Sequence, residues 1–174
     1  MKKYVVLFIV TGMLIAGSNA VYAKAFGGKI IYNKMMDDYK DAQYENNLSG
    51  GVFFEIGPSF YDSVFRPGFD WVTLENDAYS YKVYSVHLDW VWFFMKGKPL
   101  TPFIGFGPAF NYRNYDSDRT EDDDSDAGIE GIVGLEYNIS GPWSLYLDLR
   151  FIQHDIADLG DRMLRASVGV VYYF

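Results

Sequence analysis

The chain has 174 residues, 15 Lys and Arg against 23 Asp and Glu, a net charge of −8 and no cysteine. The acid excess excludes a nucleic-acid binder, which needs a basic face, and the missing cysteine excludes a disulfide framework. Aromatic residues make up 19% of the chain while mean hydropathy is only −0.07, so the apolar signal is plentiful but dispersed.

The chain opens "MKKYVVLFIVTGMLIAGSNAVYA", two lysines followed by an apolar run from Tyr4 to about Ala16 and then small residues. This reads as a secretory signal peptide over residues 1–23, because the run is short of the about 20 residues a spanning helix needs and leads directly into a cleavage pattern. Val21 and Ala23 fit that pattern, and Ser18 with Ala20 offers a second site. Without residues 1–23, which hold two lysines and no acid, one domain of 151 residues remains, 24–174, with a net charge of −10. An exported domain without disulfides must draw its stability from elsewhere.

The next segments, "AFGGKIIYN" near 25–34 and "SGGVFFEIG" near 49–57, read as strands of weak alternation that carry Lys29 and Glu55. "FYDSVFRPGFDWVTLEN" holds one strand near 61–74 despite Pro67, which lacks a ladder donor. It sets Arg66 and Asp70 against Trp71. "VYSVHLDWVWFF", near 81–95, puts Tyr84, Val86, Leu88, Trp90, Trp92 and Phe94 opposite Ser85, His87 and Asp89. "PFIGFGPAFNYR", near 101–113, sets Ile104, Phe106, Phe110 and Tyr112 against Gly105, Gly107, Ala109, Asn111 and Arg113. "GIEGIVGLEYNI", near 127–139, sets Ile129, Val133, Leu135, Tyr137 and Ile139 against Glu130, Glu136 and small residues. "WSLYLDLRFIQH", near 143–154, alternates Trp143, Leu145, Leu147, Leu149 and Phe151 with Ser144, Tyr146, Asp148, Arg150 and His154, and only Ile152 misfits. The last segment, near 163–174, keeps two-residue alternation to its final atom: Phe174, Tyr172, Val170, Val168 and Ala166 against Tyr173, Val171, Gly169, Ser167 and Arg165.

A helical period would scatter these apolar residues round two faces, whereas strands keep them on one. Long or polar connections near 35–48, 75–80, 114–126 and 155–162 alternate with the short "PSF", "KGKPL" and "SGP". Short turns on one side and long loops on the other are the habit of outer-membrane barrels, whose long loops are extracellular. The expected fold is all-β: an eight-stranded antiparallel up-and-down transmembrane β-barrel, monomeric, in the bacterial outer membrane. The outward aromatics Trp71, Trp90, Trp92, Phe94, Trp143, Tyr172 and Phe174 read as membrane-interface anchors.

On these segments, loops and the terminal Phe174, the chain resembles the small eight-stranded outer-membrane barrels typified by the transmembrane domain of outer-membrane protein A and by outer-membrane protein X. The resemblance covers nearly all of residues 24–174. It implies lipid and lipopolysaccharide as surroundings, and a final strand, "VGVVYYF", that serves as an address for the barrel-assembly machinery. It carries no catalytic motif and no cofactor.

An eight-stranded interior is about wide enough to be filled by side chains. Alternation turns inward Lys29, Glu55, Arg66, Asp70, His87, Asp89, Arg113, Glu130, Glu136, Asp148, Arg150 and Arg165. Buried charges must be paired, and Glu130, Arg150 and Arg165, at similar heights on three successive strands, are expected to touch. The set reads as a polar plug, with a narrow or gated ion path as the alternative. His154, beside Asp155, is the candidate for a lipid A-modifying enzyme. No serine lies nearby, and the histidine-x-serine-asparagine pattern of the barrel deacylases is absent. The acidic run "DSDRTEDDDSDAG" misses the EF-hand spacing, because counting from Asp122 puts Ala127 and Val133 where Gly and Glu belong. It reads as a solvated loop, with weak divalent binding left open. The functional expectation is a non-enzymatic structural or surface-interaction protein of the envelope. The alternatives are a small pore or carrier for ions or small solutes, and then a lipid A-modifying enzyme.

Overall fold

The computed structural model describes residues 23–36, 47–57, 62–75, 80–95, 97–115, 124–153 and 162–174. It holds eight strands: β1 (Ala23–Met35), β2 (Asn47–Ile56), β3 (Ser63–Glu75), β4 (Ser80–Phe93), β5 (Leu100–Tyr115), β6 (Asp124–Ser140), β7 (Trp143–Gln153) and β8 (Arg162–Tyr173). Each pairs antiparallel with its chain neighbour, and β8 pairs with β1 to close the barrel. Closure leaves no open edge, which a hydrocarbon solvent would not tolerate. The seam runs from Ala25 opposite Tyr173 to Met35 opposite Met163, and the Phe174 amide donates to the Lys24 carbonyl at 3.0 Å.

The expected segments are all strands, but several run further than expected. Met35, Asn47, Leu48, Glu75, Ser80, Asn114, Tyr115, Asp124, Ser125, Asp126 and Arg162 fall within the expected long connections and belong to strands. Polar residues here are held by the ladder rather than by an apolar face. Asp126 receives Asn111 Nδ2 at 2.7 Å and lies 2.7 Å from Arg113 Nη2. The remainder of the four long connections, His154 and the expected signal segment before Ala23 lie outside the described residues.

Proline is accommodated by interrupting one ladder only. Pro67 keeps its place opposite Leu88 on β4, while the β2–β3 pairing skips from Phe53–Gly68 to Ile56–Phe65. Pro108 behaves alike: it stays opposite Ile129, and the β4–β5 pairing skips from His87–Ala109 to Trp90–Phe106. A proline lacks only a donor, so it can sit where that side of the strand is unpaired. The tight β6–β7 turn uses Gly141 at φ +56°, a conformation that favours glycine.

Alternation sorts the side chains. Along β7 every residue from Trp143 to Arg150 switches between exposed and buried, and Ile152 continues the series as a buried lumen residue. Its position obeys the period; only its apolar chemistry departs from its neighbours. The same holds for Phe53, Val91, Phe93, Phe103 and Ile132, all buried inside.

Candidate functional site

The lumen is the candidate site, and its filling is set by cross-strand neighbours. Phe53 stands opposite Gly27, Phe103 opposite Gly134, Tyr146 opposite Gly169, His87 opposite Gly68 and Asp70 opposite Gly51. A Cβ on Gly27 would lie 2.2 Å from the Phe53 ring, and one on Gly68 would lie 2.3 Å from the His87 ring. These five lumen side chains each lie over a glycine, the small-against-large filling of narrow barrels. This accounts for Gly27, Gly51, Gly68, Gly134 and Gly169, whereas Gly105 and Gly107 lie close against the β4 backbone.

Successive layers result. Nearest the short turns, Phe53, Val64, Val91, Phe93, Phe103, Ile132 and Tyr146 form one apolar cluster. The Arg66 guanidinium is inserted into it, 4.6 Å from the Phe53 ring centre and 4.9 Å from that of Phe103. Its Nη2 lies 2.5 Å from Glu55 Oε1, so the cation meets ring faces and a carboxylate together.

The middle layer is charged and fully enclosed. Lys29 Nζ lies 2.7 Å from Asp70 Oδ1. Arg150 Nη1 lies 2.5 Å from Glu130 Oε1 and 3.2 Å from Asp89 Oδ2, and Arg150 Nη2 is 3.7 Å from Asp148. His87 Nδ1 sits 3.0 Å from Asp89 and 3.2 Å from Glu130, with Nε2 3.5 Å from Asp70. Of the expected trio, Arg150 and Glu130 meet. Arg165 is opposite Arg150 in the ladder, but its Nη1 reaches across the lumen to Asp70 Oδ2 at 3.3 Å. Like charges side by side turn to different acids.

Beyond this layer toward the long loops, Ile31, Ile152 and Met163 cap it. Each lies two residues further along than Lys29, Arg150 and Arg165, and each is at most 1% exposed. Asn33, Ser85 and Asn111 follow in a hydrogen-bonded polar layer, with Asn33 Nδ2 donating to Ser49 Oγ at 2.7 Å and Ser85 Oγ to Asn111 Oδ1 at 2.7 Å. Glu136 lies at the opposite end, accepting from the Tyr173 hydroxyl at 2.6 Å. The apolar caps and the ring cluster escape a search for chemistry-bearing residues, although the inward parity of their positions marks them.

One group among the described residues has the makings of a metal site: His87, Asp89 and Glu130. Arg150 Nη1 stands between the three, at 3.3, 3.2 and 2.5 Å from their nearest ligand atoms. The guanidinium takes the place a metal would occupy, so the cup reads as an internal ion pair. The seven outward aromatics all face away from the lumen. Trp90, Trp92, Phe94, Trp143, Tyr172 and Phe174 gather toward the short-turn end, with Trp90 and Trp92 ring centres 4.4 Å apart and Trp143 and Tyr172 4.8 Å apart. Trp71 lies in the other half, opposite Tyr84. Phe94 is one residue past β4.

No curated protein matches the chain in sequence. Among solved structures, Neisserial surface protein A is 14% identical, with a TM-score of 0.71 over 90% of this chain and 100% of that one. Ail, the attachment invasion locus protein of Yersinia pestis, solved with the heparin analogue sucrose octasulfate, is 15% identical, with a TM-score of 0.56 over 87% and 97%. The outer membrane enzyme PagL is 13% identical, with a TM-score of 0.54 over 86% and 99%. At these identities the likeness is one of fold. Residues 7–174 match the outer membrane protein beta-barrel domain, and with the closed eight-stranded barrel this makes the chain a member of that family, a multi-pass β-barrel of the bacterial outer membrane.

Proposed function

We propose that the protein is a non-enzymatic barrel with a sealed lumen, whose role in the envelope is structural or one of surface interaction. The observation that carries this is the enclosed stack: an ion-paired layer with Arg150, Arg165 and Asp70 no more than 1% exposed, lying between an aromatic cluster and an aliphatic cap. A conducting path needs sites that ions can enter and leave. Here each charge lies beside one of opposite sign, and apolar side chains close both approaches. Function then falls to the surfaces. The long connections are acidic in sequence, with Asp37, Asp38, Asp41 and Glu45 in one and Asp116, Asp118, Glu121, Asp122 and Asp123 in another. Such charge favours a cationic or divalent-bridged partner over a polyanion. The outward aromatics are assigned as interface anchors in lipid and lipopolysaccharide, and the terminal strand as the segment read by the barrel-assembly machinery.

Planar-bilayer recording on the folded, purified chain tests the sealed lumen. Little or irregular conductance is expected. A steady, large conductance would overturn the reading and favour a pore. Arg150→Ala should leak more than the wild type, because removing the guanidinium opens the middle layer.

A further inference from the structure

At the short-turn end the aromatic layer becomes the floor of a cup. The cup encloses about 630 Å³ and faces the periplasm, and Val64, Phe93, Glu55, Glu136 and Ser144 line it together with two lysines, Lys24 and Lys98. Glu55 is already committed to Arg66 at 2.5 Å. Glu136 is different. Its side chain is buried, at 7% exposure, and Oε1 accepts the Tyr173 hydroxyl at 2.6 Å. No hydrogen-bond donor among the described residues serves Oε2, which is itself buried.

A buried carboxylate oxygen without a donor is costly, and a charged donor compensates it best. Arg66 is held by Glu55, and the open mouth, which Lys24 and Lys98 line, lets a further cationic donor approach Glu136 beside Ser144 from outside. A primary ammonium brings three N–H groups on one compact centre. It can serve Glu136 Oε2 and share a second bond with the hydroxyl of Ser144, a wall residue only 1% exposed. Lys98 on the rim offers an opposite charge to the other end of the same molecule. We propose that this cup binds a small zwitterion with a free ammonium and a free carboxylate, an amino acid or short peptide. Its ammonium sits on Glu136 and its carboxylate points toward Lys98.

Triglycine is the probe, titrated calorimetrically into the full mature chain folded in detergent micelles, beside N-acetyl-triglycine and triglycine amide. Triglycine should bind. Acetylation should weaken binding roughly tenfold or more, since it removes a charge-assisted bond, and Glu136→Gln should do the same. The amide and Lys98→Ala should each cost a smaller factor at the exposed rim. No binding of triglycine, equal binding of the acetylated peptide, or an undiminished Glu136→Gln variant would each overturn the proposal. If Glu136→Gln fails to fold, the peptide series on the wild type decides alone. The outcome is separate from the sealed lumen: conductance would sink that reading and leave this site standing, while absent binding would do the reverse.

Discussion

The charged middle of the lumen and the aromatic layer beneath it occupy the same barrel and are held by different physics. In the middle, Lys29, Asp70, His87, Asp89, Glu130, Arg150 and Arg165 are buried together and each answers another's charge. In the aromatic layer one cation, Arg66, is packed among Phe53, Phe93, Phe103 and Tyr146, and volume decides the fit. A charged layer tolerates small geometric errors but not the loss of one partner. A layer of rings tolerates the loss of a polar atom but not an extra methyl group.

The largest effect should follow from stranding a charge in the middle layer. Arg150→Ala should cost about 3–5 kcal/mol, because Glu130 and Asp89 lose their common cation. Glu130→Ala should be comparably harmful, and the double variant should lose less than the sum of the two by roughly 0.5–3 kcal/mol. Urea unfolding in micelles, followed by tryptophan fluorescence, measures this. Additive losses would mean that the two residues do not act as a pair.

Next comes volume in the aromatic layer. A Cβ on Gly134 would lie 2.3 Å from the Phe103 ring and 2.5 Å from the Leu147 carbonyl oxygen. Gly134→Ala should therefore cost about 1–3 kcal/mol. Because backbone as well as ring is in the way, Phe103→Leu should restore only part of that loss. Full restoration would show that the ring alone sets the limit.

A polar atom in the same layer should matter less. The Tyr146 hydroxyl is buried and no hydrogen bond reaches it from the described residues. Tyr146→Phe should leave stability within about 1 kcal/mol of wild type or raise it, since an unsatisfied group is removed. A loss as large as that for Arg150→Ala would erase the distinction between the two layers.

The smallest change in equilibrium stability belongs outside both layers. Phe174 is 75% exposed toward the surroundings of the barrel. Its deletion should change stability by less than about 1 kcal/mol, yet lower the rate and yield of insertion by the cellular machinery. Pulse-chase assembly read on boiled and unboiled gels separates the two. Equal insertion of wild type and variant would leave Phe174 as an anchor alone.

Strand existence and parity were written in the chain itself, because a β-strand turns successive side chains to opposite faces and a barrel in lipid demands apolar residues on only one of them. Trp143 to Ile152 shows this throughout: even Ile152, which breaks the chemical pattern, keeps the positional one. By the same parity Glu130 and Arg150 turn inward, and both are buried. Strand limits were less visible, since Asp124 and Asp126 extend β6 through cross-strand pairing with β5 rather than through any apolar face. Only the closed tertiary structure decided who meets whom. Sequence neighbours suggested that Arg165 would join Glu130, but closure sets β3 across the lumen from β8, and Asp70 on β3 claims that guanidinium. Nor could a sequence show that glycines on one strand lie opposite rings on the next. Register is a property of pairs of strands, and the size of a lumen side chain has meaning only against the residue it faces.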